Sequence, residues 1–231
     1  GSEWNRRHPP SGSSTALVTS PQAHEVTDNL MREASLFNSF DLGATVLPDG
    51  RTHFRVWAPL HRRVDLHLQS PVEESIPMSH AEDGYFELHL DRNATGYHYT
   101  YRLSASLDRP DPASRLQERG VHGPSAVVAD DFDWRASGWR GIPLPSYVIY
   151  ELHPGVFTRQ GTLDAAIERI PYLLELGITA VELMPVAQFP GERNWGYDGV
   201  FPYAVQSSYG GPQALKRFVD ACHLAGLAVV L

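Results

Sequence analysis

The side chains best equipped for chemistry gather in the last third of the sequence. Glu151 and His153 stand at the carboxyl end of an apolar run, Val148–Leu152, and Glu182 stands near the end of a second, Ile178–Met184. Two glutamates so placed have the form of a paired acid and base, and His153 can bond a hydroxyl. A histidine at a strand end is as often a satisfied structural group. Asn194-Trp195-Gly196-Tyr197-Asp198-Gly199 then sets two aromatic rings and a carboxylate in one short block. The plain alternative for that block is loop structure, with Gly196 and Gly199 allowing turns, Tyr197 packing and Asp198 capping. Cys222, the single cysteine, falls on a helix face with no base nearby in sequence, which favours packing over nucleophilic attack. His61, His67, His80, His89 and His98 are dispersed along alternating segments and show no metal-ligand spacing. Gly210-Gly211 lacks the glycine and lysine pattern of a phosphate loop. Neither a metal nor a cofactor is expected.

The elements that must hold these groups alternate in type. Three short apolar runs, within Val148–Leu152, Ile178–Met184 and Leu227–Leu231, enclose two helix-like segments, the pattern of βαβ units feeding a parallel sheet. In an α/β barrel, binding and catalytic groups collect at the carboxyl ends of the strands, because the βα loops sit there on a rigid rim. Thr162 is placed to cap a helix whose Leu163, Ile167, Ile170 and Leu174 form one apolar face. Pro171 should kink that helix or restart it as a second short one, and Gly177 should end it. A long loop, Val186–Gly211, carries the aromatic block together with Tyr203 and Tyr209. Pro212 suits the first turn of the next helix, whose buried face is Leu215, Phe218, Val219 and Cys222, and Gly226 suits its C′ position.

Upstream, residues 1–38 show neither a two-residue nor a 3.6-residue period and read as a flexible tail, with at most a helical turn near Asn29–Ser35. Residues 39–131 turn to short alternating segments. Phe54, Val56 and Ala58 share a face; Val64, Leu66 and Leu68, then Phe86, Leu88 and Leu90, then Tyr97, Tyr99, Tyr101 and Leu103 repeat the rhythm. Such spacing predicts a small antiparallel β-sandwich of immunoglobulin-like type. The tyrosine stripe suits a sugar-stacking platform, but sheet core is the simpler account. Leu107–Asp131 reads as irregular, and residues 132–147 as a linker whose Trp134 and Trp139 seal an interface.

Composition excludes several classes. The chain has 231 residues, 42% of them hydrophobic, enough for a large domain or two ordinary ones. A net charge of −8, a pI near 5.7 and a single lysine, Lys216, argue against a nucleic-acid surface. No apolar run is long enough to span a membrane and no signal peptide is visible, so a soluble, cytoplasmic protein is expected. A lone cysteine fits a reducing compartment.

The blocks YVIYELHPGVFT, ITAVELMPV, NWGYDG, SYGGP and LKRFVDACHLAGLAVVL resemble, in order, the start of the (β/α)8 barrel of glycoside hydrolase family 13, the α-amylase family. GRTHFRVWAP resembles the β-sandwich that precedes the barrel in its branching, debranching and trehalose-forming members. DPASRLQERGVHGPS followed by NWGYDGVFPYAVQSSYGGP is most similar to members that hydrolyse the α-1,4 bond next to a terminal trehalose. The resemblance implies residues 39–131 as sandwich and 148–231 as the first β/α units of the barrel. It also implies a malto-oligosyltrehalose or other α-1,4-glucan substrate, and a retaining mechanism with two carboxyl groups roughly 5 Å apart. Tyr197 corresponds to the aromatic that stacks on the sugar at the cleavage subsite, with Asp198, Trp195 and His153 as further substrate-binding candidates. The family's catalytic aspartates and glutamate lie on later strands, beyond Leu231. Glu151 and Glu182 are therefore expected to hydrogen-bond in the barrel mouth. Three strands cannot close a barrel, and a bare apolar strand edge invites aggregation. The chain is accordingly expected to be the N-terminal portion of a longer enzyme, partnered by the rest of it. Two other readings are a glycogen branching enzyme and a non-catalytic glucan-binding module.

Overall fold

The computed structural model describes residues 42–105 and 107–231. The expected tail over residues 1–38, with its helical turn, lies outside them.

Among the described residues of the first half, nine short strands follow the alternation. They are β1 (Gly43–Val46), β2 (Thr52–Trp57), β3 (Asp65–Ser70), β4 (Glu74–Pro77), β5 (Ser79–His80), β6 (Tyr85–Leu90), β7 (His98–Ser104), β8 (Leu107–Arg109) and β9 (Ser125–Ala126). One antiparallel sheet runs β1-β2-β6-β5; the other runs β4-β3-β7-β8, with β9 also paired to β7. Phe54, Val56 and Phe86 from the first sheet meet Leu66, Leu68, Tyr99 and Tyr101 from the second in one core. Full burial of each such side chain contributes about 1.5–3 kcal/mol. Tyr99 and Tyr101 are core, not platform: they donate to Asp111 Oδ2 at 2.6 and 3.3 Å, and the Ala113 N–H reaches Oδ1 at 2.8 Å. The segment read as irregular thus contributes β8, β9 and the carboxylate that satisfies the tyrosines.

In the second half, β10 (Ile149–Leu152), β11 (Ala180–Leu183) and β14 (Ala228–Val230) form a parallel sheet in that order. Glu151 pairs with Glu182, which pairs with Val230, so these three share a row. Tyr150, Leu152, Val181, Leu183 and Val229 belong to the rows that pack with the helices. Between the parallel strands lie α1 (Pro154–Phe157), α2 (Leu163–Ile167), α3 (Ile170–Glu175), the antiparallel pair β12 (Ala187–Gln188) and β13 (Phe201–Val205), and α4 (Gly211–Leu224).

Local chemistry sets these bounds. Thr162 Oγ1 accepts from the Ala165 N–H at 3.2 Å and starts α2. Pro171 lies in the first turn of α3, so of the two expected outcomes, a kink or a restart, the structure shows the restart. The restart rotates the face: Leu173 is fully buried and Leu174 is exposed, which corrects the predicted Leu174. Gly177 and Gly226 both take positive φ past a helix end. At α4 the Leu227 N–H returns to Cys222 O at 2.8 Å, closing a Schellman turn. Ala214, Phe218 and Cys222 form its buried face, while Leu215 and Val219 are half-buried.

The segment over 132–147 docks on α4. Asp220 accepts from Arg135 Nε at 2.9 Å and from the Ala136 N–H at 2.8 Å, and Trp139 stacks on His223 at 4.6 Å. Trp139 therefore covers the helix, whereas Trp134 packs edge-on against Phe132 and stays partly exposed.

Candidate functional site

β10 ends by delivering His153 to the N-terminus of α1. His153 Nδ1 accepts from the Gly155 N–H at 3.1 Å, so that nitrogen is unprotonated. Nε2 then carries the proton and donates to Asn194 O at 3.1 Å, with the Tyr209 hydroxyl 3.4 Å away. Both ring nitrogens are engaged within the protein. Gly155 permits the close fit, since a Cβ there would stand 3.0 Å from both the His153 and Tyr209 rings. Tyr209 is buried against Phe189, and burial raises its hydroxyl above the usual phenol range.

The loop that His153 grips carries the aromatic block. Its base is held by two buried glutamines that sequence reasoning missed. The Gln206 side chain accepts from the Phe189 N–H at 3.0 Å and donates to Gly191 O at 3.0 Å; the Gln188 side chain accepts from the Ser207 N–H at 3.0 Å, and the Gln188 main-chain carbonyl accepts from the Val200 N–H at 2.8 Å. A lone amide inside an otherwise apolar alternation was the available signal. Gly196, at φ +97°, donates its N–H to the Asn194 side chain and lies beside Met184. On this anchored frame Trp195 and Tyr197 are 87% and 76% exposed, and Asp198 is exposed too. Their faces and carboxylate are presented to solvent, as stacking and hydroxyl binding require.

Glu151 and Glu182 stand side by side in register, and their side chains make no hydrogen bond among the described residues. A cleft of about 510 Å³ beside β10 takes in Glu151, His153, Arg169 and Tyr172, but none of Trp195, Tyr197 and Asp198. The structure therefore joins His153 to the loop through Asn194, and leaves Glu151 outside it. Cys222 is fully buried, and burial pushes its thiol up to about 12, which suits packing and not attack. No cluster of three or more metal-ligating side chains occurs among the described residues, and no helix among them is long and apolar enough to cross a membrane.

Residues 122–231 match the family model for the alpha amylase catalytic domain, and residues 41–117 the model for carbohydrate-binding module 48, the isoamylase N-terminal domain. The chain belongs to the α-amylase family. One relative in that family, the malto-oligosyltrehalose trehalohydrolase of Saccharolobus solfataricus, is 46% identical over 183 residues, covering 79% of this chain and 32% of its own. The 1,4-alpha-glucan branching enzyme of Bacillus caldolyticus is 34% identical over 226 residues, covering 87% of this chain and 34% of its own. A crystal structure described as a putative alpha amylase from Salmonella typhimurium superposes with a TM-score of 0.77 at 45% identity, covering 82% of this chain and 32% of that one. The chain spans about a third of the length of the relatives it matches. Within this α-amylase-family chain, the anchored aromatic loop and His153 both fall in the catalytic-domain match.

Proposed function

We propose that this chain forms the N-terminal part of a malto-oligosyltrehalose trehalohydrolase. The full-length protein hydrolyses the α-1,4-glucosidic bond next to the terminal trehalose of malto-oligosyltrehalose and releases trehalose. Its first module is an immunoglobulin-like sandwich, and β10, β11 and β14 are early strands of a (β/α)8 barrel. The observation that carries this reading is the extent of identity to a trehalohydrolase across both modules, with branching-enzyme identity lower.

The geometry fits a division of labour. Tyr197 stacks on the apolar face of the sugar at the cleavage subsite, Asp198 accepts from its hydroxyls, and Trp195 extends the same wall. All three are exposed on a loop whose ends are fixed, so little ordering is needed when a glucan binds. The acid and the nucleophile of a retaining hydrolase lie on later barrel strands, beyond Leu231, and face each other at roughly 5 Å. The Glu151–Glu182 row lines the barrel mouth and takes its side-chain partners from the later strands of the barrel. The protein works in the cytoplasm, a reducing compartment that suits its single buried thiol. Incubating the full-length protein with maltopentaosyl-trehalose tests the proposal: free trehalose is the expected product, and branched glucan without trehalose would overturn it.

A further inference from the structure

We infer that His153 is a positioning residue that fixes the aromatic loop, and that it makes no direct bond to the sugar. This deepens the proposed function and rests on it for the substrate, though not for the tether itself. Three observations carry it. Nδ1 is occupied by the Gly155 N–H, and Nε2 by Asn194 O with Tyr209 at its flank, so the ring has no free donor or acceptor to offer. The bond to Asn194 spans 41 residues and ties the carboxyl end of β10 to the residue just before Trp195. The glutamine bonds to Gly191 and Val200, by contrast, hold the loop only to its own hairpin.

The two nitrogens do separable jobs. Nδ1 caps α1, and Nε2 tethers the loop. In His153→Asn the side-chain oxygen can still accept from the Gly155 N–H, but nothing reaches Asn194. In His153→Gln the amide nitrogen extends about as far as Nε2 and can still donate to Asn194 O, while the cap is lost. A tether role therefore predicts that Asn is the more damaging change, and a purely structural capping role predicts the reverse.

Two readouts decide. Trypsin cleavage after Arg193, which is exposed, reports loop opening in the native protein without any sugar. His153→Asn should raise that cleavage rate about fivefold to tenfold, the worth of one hydrogen bond, and His153→Gln by much less. In the full-length enzyme, KM for malto-oligosyltrehalose should rise in the same order, with kcat falling less than KM rises. Thermal melts on the same samples show which variants fold. Equal increases in KM for both variants with unaltered cleavage would mean direct sugar contact and overturn the inference, as would greater loop opening in Gln than in Asn. Should Asn alone fail to fold, His153→Gln joined to Tyr209→Phe reads the same loop: near wild-type cleavage after Arg193 supports the tether, and rapid cleavage overturns it. A protein that shows the cleavage pattern yet releases no trehalose would reject the proposed function and leave the tether standing.

Discussion

Two pairs of aromatic residues, each separated by one position, meet opposite fates in this molecule. Tyr99 and Tyr101 lie on β7 with 1% and 2% exposure; Trp195 and Tyr197 lie on a loop with 87% and 76%. Spacing is the same, so spacing did not decide. The first pair sits in a strand flanked by β3 and β8 or β9, and Asp111 is on hand to satisfy both hydroxyls. The second pair straddles Gly196, whose left-handed backbone keeps the segment out of a sheet. Burial of an aromatic thus requires a ladder beneath it and a partner for its polar tip.

The largest test of this contrast truncates one ring from each pair. Tyr99→Ala should lower unfolding free energy by about 3–5 kcal/mol, read by urea denaturation. Tyr197→Ala should change stability by no more than about 0.5 kcal/mol, yet in the full-length protein reduce kcat/KM for the proposed trehalose release roughly threefold to tenfold. Comparable stability losses in the two would break the comparison.

A finer cut removes only the hydroxyl. Tyr99→Phe deletes the 2.6 Å bond to Asp111 and should cost about 1–3 kcal/mol near neutral pH. Burial pushes the Asp111 carboxyl above the usual range, while the Tyr99 hydroxyl pulls it down. Because the folded value is raised, the carboxyl's contribution is present below the unfolded value near 3.8 and is lost as pH rises through the folded one. Removing Tyr99 raises the folded value further. The gap between wild type and Tyr99→Phe should therefore widen above pH 3.8 and narrow below it; a gap that stays constant with pH would refute the assignment.

On the loop side, Gly196→Ala places a Cβ at φ +97° and 3.1 Å from Met184 Cε. The thioether tip can yield, but the backbone cannot, so the strain is about 1–2 kcal/mol. It should appear as faster trypsin cleavage after Arg193, with global stability nearly unchanged. A large fall in melting temperature with the loop intact would show the segment to be part of the core.

The same contrast explains what could be read from the sequence. Strand rhythm through Phe54, Val56, Leu66, Leu68 and Phe86 was legible because alternation and burial share a period. Pro171, Gly177 and Gly226 were legible because backbone limits act locally. Leu174 was misplaced because the restart at Ile170 changes the phase of the helix, and a continuous wheel cannot register that. β8 and β9, at three and two residues, are too short to carry a period. The site was harder. Trp195, Tyr197 and Asp198 could be named as candidates from their types, but Gln188, Gln206 and the bond from His153 to Asn194 depend on pairings across 15 to 41 residues. No local pattern encodes those.

The smallest effect compares two aspartates. Asp164 receives Arg217 Nε at 2.8 Å and Nη2 at 2.7 Å, joining α2 to α4, with both side chains about half exposed, whereas Asp111 is fully buried. Arg217 holds the Asp164 carboxyl below its usual range, so its contribution is present above the unfolded value near 3.8 and is lost as pH falls through the folded one. Water screens the pair, and Asp164→Asn should cost only about 0.5 kcal/mol at pH 7. Acid alone does not separate this variant from Tyr99→Phe, because each lost interaction is one made to an ionised carboxylate and both penalties shrink at low pH. Salt does separate them. At 1 M ionic strength the screening length is about 3 Å, so the Asp164→Asn penalty should vanish while the Tyr99→Phe penalty persists. Urea denaturation of both variants at low and high salt measures this, and a salt-sensitive Tyr99→Phe would mean that water reaches Asp111.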